Sequence, residues 1–370
     1  MVWPYLNIYL NDRLDLPLIM TTTLISVRGV TEIISSFISG PIADRFGRRK
    51  MMIVSLAVGV VYYYLLSVAG SLQQFILLMA FWGFFNMFYP VGSNAMIADL
   101  VDKEQQMSAF SFLRIVTNSG FAIGPIIGGI IASQSYSSIF YAAATGFAIS
   151  CILLILTIKE SLQKVETHDE VQRASTRMID VFRDYGFIFI IGMSIFIFMG
   201  TSAVFNLLSL YASRNFGIQE SHIGIVFTVN ALMCVTLQIP VIQLIKTRRF
   251  TTVLSIGAFL YTIGIFMYSM IPTVAWFSLS MAVMTTGELL VTPTLLSFTA
   301  AKAPPDARGR YMGIYSLAHP IGFAIGPVIS GYLYDHTVPQ AIWWGGAFFC
   351  LIATIGYLIL RARGADDLPA

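Results

Sequence analysis

Four ionisable side chains, Arg28, Glu32, Arg114 and Glu288, stand inside stretches that are otherwise apolar. Charge is costly to hold there, so each is a candidate for handling protons or charged ligands. Arg28 and Glu32 are one helical turn apart and can pair on one face. Such a pair serves either structure and gating or direct proton coupling. Arg114, in LRIVTNSG, lies near the start of its stretch. It is either a functional charge or a side chain reaching an interface through its apolar stem. Glu288 lies mid-stretch in TTGELLVTPTLL, with no cation within a turn of it in the sequence. Low dielectric disfavours a charged carboxyl, which brings proton exchange near neutral pH within reach. Glu288 is therefore the leading proton or cation site. The alternative is a structural pair with Arg28 or Arg114 across a helix bundle.

The apolar surroundings are general. Of 370 residues, 56% are hydrophobic and 11% charged, with mean hydropathy +0.76. A soluble domain carries about 25% charged residues, so the solvent for most of this chain is lipid. Runs long enough to span a bilayer as helices cover roughly 17–39, 51–69, 73–97, 111–132, 138–158, 186–212, 222–245, 252–270, 275–299, 311–334 and 340–360. The opening MVWPYLNIYL is apolar but covers only about half a bilayer core. It reads as the outer half of a twelfth helix, TM1, whose start is truncated or placed too late; the full runs are then TM2 to TM12. It lacks the basic region and cleavage site of a signal peptide. Of the 22 Lys and Arg, all but Arg13, Arg214, Arg28 and Arg114 fall on the side of Arg45. That bias makes this side, and the C-terminus, cytoplasmic. The segment 159–185 carries mixed charge and reads as a linker. The domains expected are 1–158, a six-helix bundle with TM1 incomplete, the cytoplasmic linker 159–185, and 186–370, a second six-helix bundle. The three cysteines, all in apolar runs, read as packing residues.

One phrase occurs twice. Gly120 to Gly129 reads GFAIGPIIGG, and 202 residues later Gly322 to Gly331 reads GFAIGPVISG. That offset holds six helices with their loops, so the phrases open TM5 and TM11 in the same direction. Two parallel halves of six are an arrangement secondary transporters use. Gly120, Gly124 and Gly128 make a small-residue face for a neighbouring helix, and Pro125 can kink its own.

Between TM2 and TM3 lies Gly40-Pro-Ile-Ala-Asp44-Arg45-Phe-Gly47-Arg48-Arg49-Lys50. It resembles the GxxxDRxGRR signature of the major facilitator superfamily, and the resemblance extends over the whole chain. It implies an all-α membrane protein with the twelve-helix fold of two parallel six-helix repeats. It also implies that Gly40, Asp44, Arg45, Gly47, Arg48 and Arg49 form a cytoplasmic gate loop that latches the halves. Gly47 allows a tight turn, and Asp44 can accept from amides at a helix start. The corresponding turn of the second half, Lys246 to Arg249, keeps only the basic residues. The TM5 phrase, with Gly120, Gly124, Pro125, Gly128 and Gly129, is similar to the motif of drug exporters that run as antiporters; in TM11, Ser330 replaces one glycine. GELLVTP resembles the TM10 pattern of proton-driven multidrug exporters. The resemblance further places TM1, TM4, TM7 and TM10 around a central cavity. Tyr5, Asn7, Asn86, Tyr89, Asn94, Asn206 and Thr286 are then candidate wall residues, with Asn86 the repeat mate of Glu288. His319 in TM11 reads as a packing residue.

No phosphate loop, HExxH, CxxC or GxSxG occurs. The expectation is therefore no enzyme, no cofactor, no metal and no nucleic acid. Partners are a small-molecule substrate, protons and the lipid bilayer, and the chain is expected to act as a monomer in the cell membrane. The function this implies is proton-coupled efflux of hydrophobic or cationic small molecules, such as drugs, by alternating access. A metabolite carrier for a sugar or organic acid is the first alternative; a non-transporting receptor or scaffold is the second.

Overall fold

Lipid offers no partner to a backbone amide, so each apolar run must close its own hydrogen bonds as helix. The computed structural model describes residues 2, 5–14, 17–101, 103–132, 135–161, 181–245, 247–302 and 308–363. Among them are thirteen helices and no strand. In order these are α1 (Leu6–Leu14), α2 (Leu18–Phe46), α3 (Arg48–Val68), α4 (Leu72–Asn86), α5 (Phe88–Leu100), α6 (Lys103–Ala132) and α7 (Tyr136–Thr157). Then come α8 (Tyr185–Phe216), α9 (Glu220–Ile245), α10 (Phe250–Met267), α11 (Val274–Lys302), α12 (Arg308–His336) and α13 (Ala341–Ala362). Among the described residues, ten stretches are long and apolar enough to cross a membrane. The remaining expected run, 111–132, falls in α6, and the partial TM1 is the nine-residue α1. The linker 159–185 is described only at its two ends.

Two boundaries differ from the sequence reading. The connection between TM2 and TM3 is hardly a loop, because α2 runs on through Arg45 to Phe46 and α3 starts at Arg48. The whole turn is Gly47, at φ +100°, with its N–H donating to the Ala43 carbonyl at 3.1 Å. A side chain is strained in that conformation, and glycine is not. TM4, expected as one helix, is broken at Met87 into α4 and α5. Pro90 has no N–H, so the Asn86 carbonyl loses its i+4 donor.

The chain forms two compact units: Met1–Lys164 with Asn206–Ala231, and Val165–Phe205 with Leu232–Ala370. In the first, α2 packs on α4 and α3 on both α5 and α7. Gly83 lets α4 close on α2, since a methyl group there would run into the Thr31 hydroxyl and the Arg28 carbonyl. Tyr62 and Trp82 stack beside this seam, with centroids 5.0 Å apart. At the end of the helices away from Gly47, Arg214 pairs with Asp12. These residues stand 202 apart, the offset of the two glycine phrases, so each is the other's counterpart in the repeat. In the second unit, α10 packs against α11 and α13. A methyl group at Gly264 would come within 2.6 Å of the Met284 backbone nitrogen.

Gly120 and its repeat mate Gly322 meet different surroundings among the described residues. In TM11 a methyl group at Gly326 would lie 3.0 Å from Met199 Cα, and one at Gly322 would lie 2.8 Å from the Phe198 carbonyl carbon. In TM5, Gly128 and Gly129 are buried and Gly124 is half-buried, while the Pro125 side chain lies outside the described residues. Among the described residues nothing comes within 4 Å of a methyl group at Gly120. Gly326→Leu is therefore expected to destabilise the detergent-solubilised protein by about 1–3 kcal/mol or more, as overpacking does. Gly120→Leu is expected to leave its unfolding midpoint unchanged. Equal midpoints for the two variants would contradict this packing.

Candidate functional site

Polar side chains inside the units gather at three places. The first is in unit 1, between α2 and α4. Glu32 Oε1 accepts from Arg28 Nε at 2.8 Å, lies 2.7 Å from Arg28 Nη2, and accepts from Asn86 Nδ2 at 3.0 Å. The Arg28 and Glu32 side chains are only 19% and 14% exposed. Helical spacing puts Arg28 and Glu32 on one face, and the glycine seam at Gly83 brings Asn86 up to them. The expected pair therefore exists, and the supposed cavity residue Asn86 is its third member. One carboxylate oxygen thus gathers donors from two helices.

The second place is the end of the helices that bears the basic cluster. In unit 1, Glu160 Oε1 accepts from the Arg48 and Arg49 backbone N–H groups at 2.9 and 3.4 Å. A carboxylate at a helix N-terminus satisfies orphan amides and favours the helix dipole. The Arg49 guanidinium donates to the Ile155 carbonyl at 2.7 Å, and Arg48 to Ala43 at 3.3 Å. A methyl group at Gly47 would strike the Glu160 carboxylate, so glycine is required there twice over. Asp44 was expected in the amide-accepting role; its side chain and the surroundings of Gly40 lie outside the described residues, while Arg45 is exposed. Glu160 was missed, although it is acidic and sits directly after TM6 on the side of the signature. In unit 2 the corresponding end is tied by Asp184. It accepts from the Phe187 N–H and the Tyr311 hydroxyl, both at 3.1 Å, and lies 3.6 Å from Lys302 Nζ.

The third place is a cavity of about 230 Å³ within unit 2. It is lined by Phe198, Thr201 and Phe205 of α8, Tyr261 of α10, Glu288 and Thr292 of α11, and Tyr315, Ser316, His319 and Phe323 of α12. One carboxyl and one imidazole thus share a space walled by five phenyl or phenol rings. Prolines lie at or near this wall. Pro293 deprives the Leu289 carbonyl of its i+4 donor, and Pro320 and Pro327 do the same for Ser316 and Phe323, while both helices continue unbroken.

The remaining candidates are dispersed. Tyr5 and Asn206 are buried at 1% exposure, whereas Tyr89 and Asn94 are exposed. Thr286 donates to the Ala282 carbonyl at 2.9 Å on its own helix. The side chains of Asn7 and Arg114 lie outside the described residues. Of the residues singled out as proton or substrate sites, Glu288 alone lines the unit 2 cavity. The aromatic rings around it, and His319, carried no motif that pointed to them.

The model of the Major Facilitator Superfamily matches residues 1–318 and again 290–369. The chain belongs to that superfamily. Among curated relatives, Multidrug resistance protein 1 of Bacillus subtilis is 26% identical over 314 residues, covering 84% of this chain and 80% of its own length. Quinolone resistance protein NorA of Staphylococcus aureus is 24% identical over 346 residues, with 93% and 88% covered. Of solved structures, the nucleoside transporter NupG superposes with TM-score 0.83 at 13% identity, covering 97% of this chain and 94% of that one. A POT family transporter in complex with 5-aminolevulinic acid gives 0.82 at 16%, with 98% and 92% covered. At such identities these structures speak to the fold. A major facilitator chain with this many apolar helices is a multi-pass membrane transporter, and the sites above belong to that frame.

Two outcomes follow from the polar clusters. Glu32→Ala strands the Arg28 guanidinium inside unit 1 and is expected to cost about 3–5 kcal/mol. The double variant Arg28→Leu with Glu32→Leu should recover most of that loss in thermal unfolding. If the double variant is as unstable as Glu32→Ala, the cluster is not held by its charge pair. Glu160→Ala removes the acceptor at the start of α3 and should cost about 1 kcal/mol, read as a lowered unfolding midpoint; no change would show that the α3 amides do not depend on it.

Proposed function

We propose that this transporter exports hydrophobic, cationic small molecules by alternating access, in exchange for protons. The observation that carries this reading is Glu288 in the aromatic-walled cavity of unit 2. A carboxyl can hold a proton or the positive charge of a substrate, and the two compete for it. Aromatic faces within about 6 Å attract a cation without demanding a particular shape. The named relatives with multidrug and quinolone resistance support drug export as such, and the glycine phrase of TM5 supports antiport. Glu32, tied to Arg28 and Asn86, serves in this scheme as a structural and gating element, and Arg114 as an accessory charge. The signature residues Gly40, Asp44, Arg45, Gly47, Arg48 and Arg49 form the cytoplasmic latch. The Lys and Arg bias places the protein in the cell membrane with its C-terminus in the cytoplasm. It works as a monomer.

The test is ethidium movement in proteoliposomes with an imposed pH gradient. The wild-type protein should drive ethidium against its concentration gradient whenever protons run the other way. Glu288→Gln should reduce the flux to that of empty vesicles. Flux that ignores the pH gradient, or that survives Glu288→Gln unchanged, overturns the reading.

A further inference from the structure

The cavity holds a second titratable group that the scheme above leaves idle. The His319 ring stacks on Phe323, with centroids 4.2 Å apart and planes 18° from parallel. The Phe198 ring also meets His319, with centroids 5.1 Å apart and planes at 65°. Both distances lie inside the range in which an aromatic ring stabilises a cation. Both rings, and His319 itself, line the cavity with Glu288. Each helix around the cavity adds its own groups. Tyr261 of α10, Glu288 of α11 and Tyr315 of α12 are the titratable side chains that line it with His319. The lining residues of α8 are Phe198, Thr201 and Phe205, and α13, which also packs on α12, contributes none. Glu288 is thus the one carboxyl among the lining residues, and His319 the one basic side chain.

We propose that His319 is a proton-carrying group of this cavity, and that an imidazolium at this position and a monovalent organic cation exclude each other. This rests on the cation-exporter reading. The same rings that wall the cavity hold His319, and about 230 Å³ leaves little distance between two like charges. Like charges that close in low dielectric repel strongly. When the substrate cation enters beside ionised Glu288, His319 gives its proton to water, and the cavity keeps its net charge. The exchange is one cation bound for one proton released. An ordinary imidazole makes this change near pH 6.5, so the cavity would favour a proton at an acidic face and a cation at a neutral one. Anionic and zwitterionic compounds gain nothing from such a pair.

The experiment measures binding of tetraphenylphosphonium to the full-length protein in nanodiscs between pH 5.5 and 7.5. The wild-type affinity should fall toward low pH through both Glu288 and His319. In His319→Gln and His319→Phe the fall should be smaller by about tenfold, the share expected of one imidazole over that range. Phe keeps the ring stack, so it separates loss of packing from loss of the proton. In wild-type protein with ¹⁵N-labelled histidine at pH 6, the probe should convert one imidazole signal from the charged to the neutral form. An unaltered pH profile in both variants, or an unaltered imidazole signal in the wild type, overturns the role of His319. Full binding by Glu288→Gln, or no binding by the wild type at any pH, instead overturns the cation-cavity reading on which it rests.

Discussion

The constraint on which this structure depends is that a group buried in hydrocarbon must be satisfied by the chain itself. Backbone amides meet it by forming helices, and helices meet each other where side chains are smallest. Gly83 against Arg28, Gly264 against Met284 and Gly326 against Met199 are such meeting points. Close approach then decides which polar side chains find one another. Asn86 reaches Glu32 because Gly83, one turn earlier on α4, lets the helix lie against α2. The charge cluster is in this sense a consequence of the glycine seam.

Proline sets the exceptions. Each intrahelical proline withholds one amide, and the released carbonyls mark the irregular places. Pro90 coincides with the break at Met87, right beside Asn86. Pro293, Pro320 and Pro327 release carbonyls at Leu289, Ser316 and Phe323, at or next to the wall of the cavity. In α11 and α12 the helix runs on past each proline, so what the proline leaves is a released carbonyl at or next to the wall and not a break.

The elements that obey period and composition were legible in the sequence. Apolar runs, the basic bias and the 202-residue echo give the helical order, the repeat and the pairing of Arg28 with Glu32. What was not legible depends on register between helices. Nothing in TTGELLVTPTLL says that Phe198 and Phe323 stand near Glu288, because those residues meet only once α8, α11 and α12 are packed. His319 reads as one polar residue in an apolar stretch until that packing gives it two rings and a carboxyl for company. Glu160 was hidden differently: its role depends on the single-residue turn at Gly47, and the sequence does not reveal that α2 continues to Phe46.

The repeat finally explains how one scaffold holds two kinds of polar site. Asn86 and Glu288 are counterparts at the 202-residue offset. In unit 1 that position carries an amide, which donates to a carboxylate already paired with Arg28. Charge and countercharge are both on the protein there. In unit 2 the same position carries the carboxyl itself, set among rings with an imidazole as companion. The one basic side chain among the lining residues there is His319. A single difference between amide and carboxyl at equivalent positions thus gives the two repeats different polar surroundings on the same scaffold, and it is this difference that the proposed exchange at Glu288 builds on.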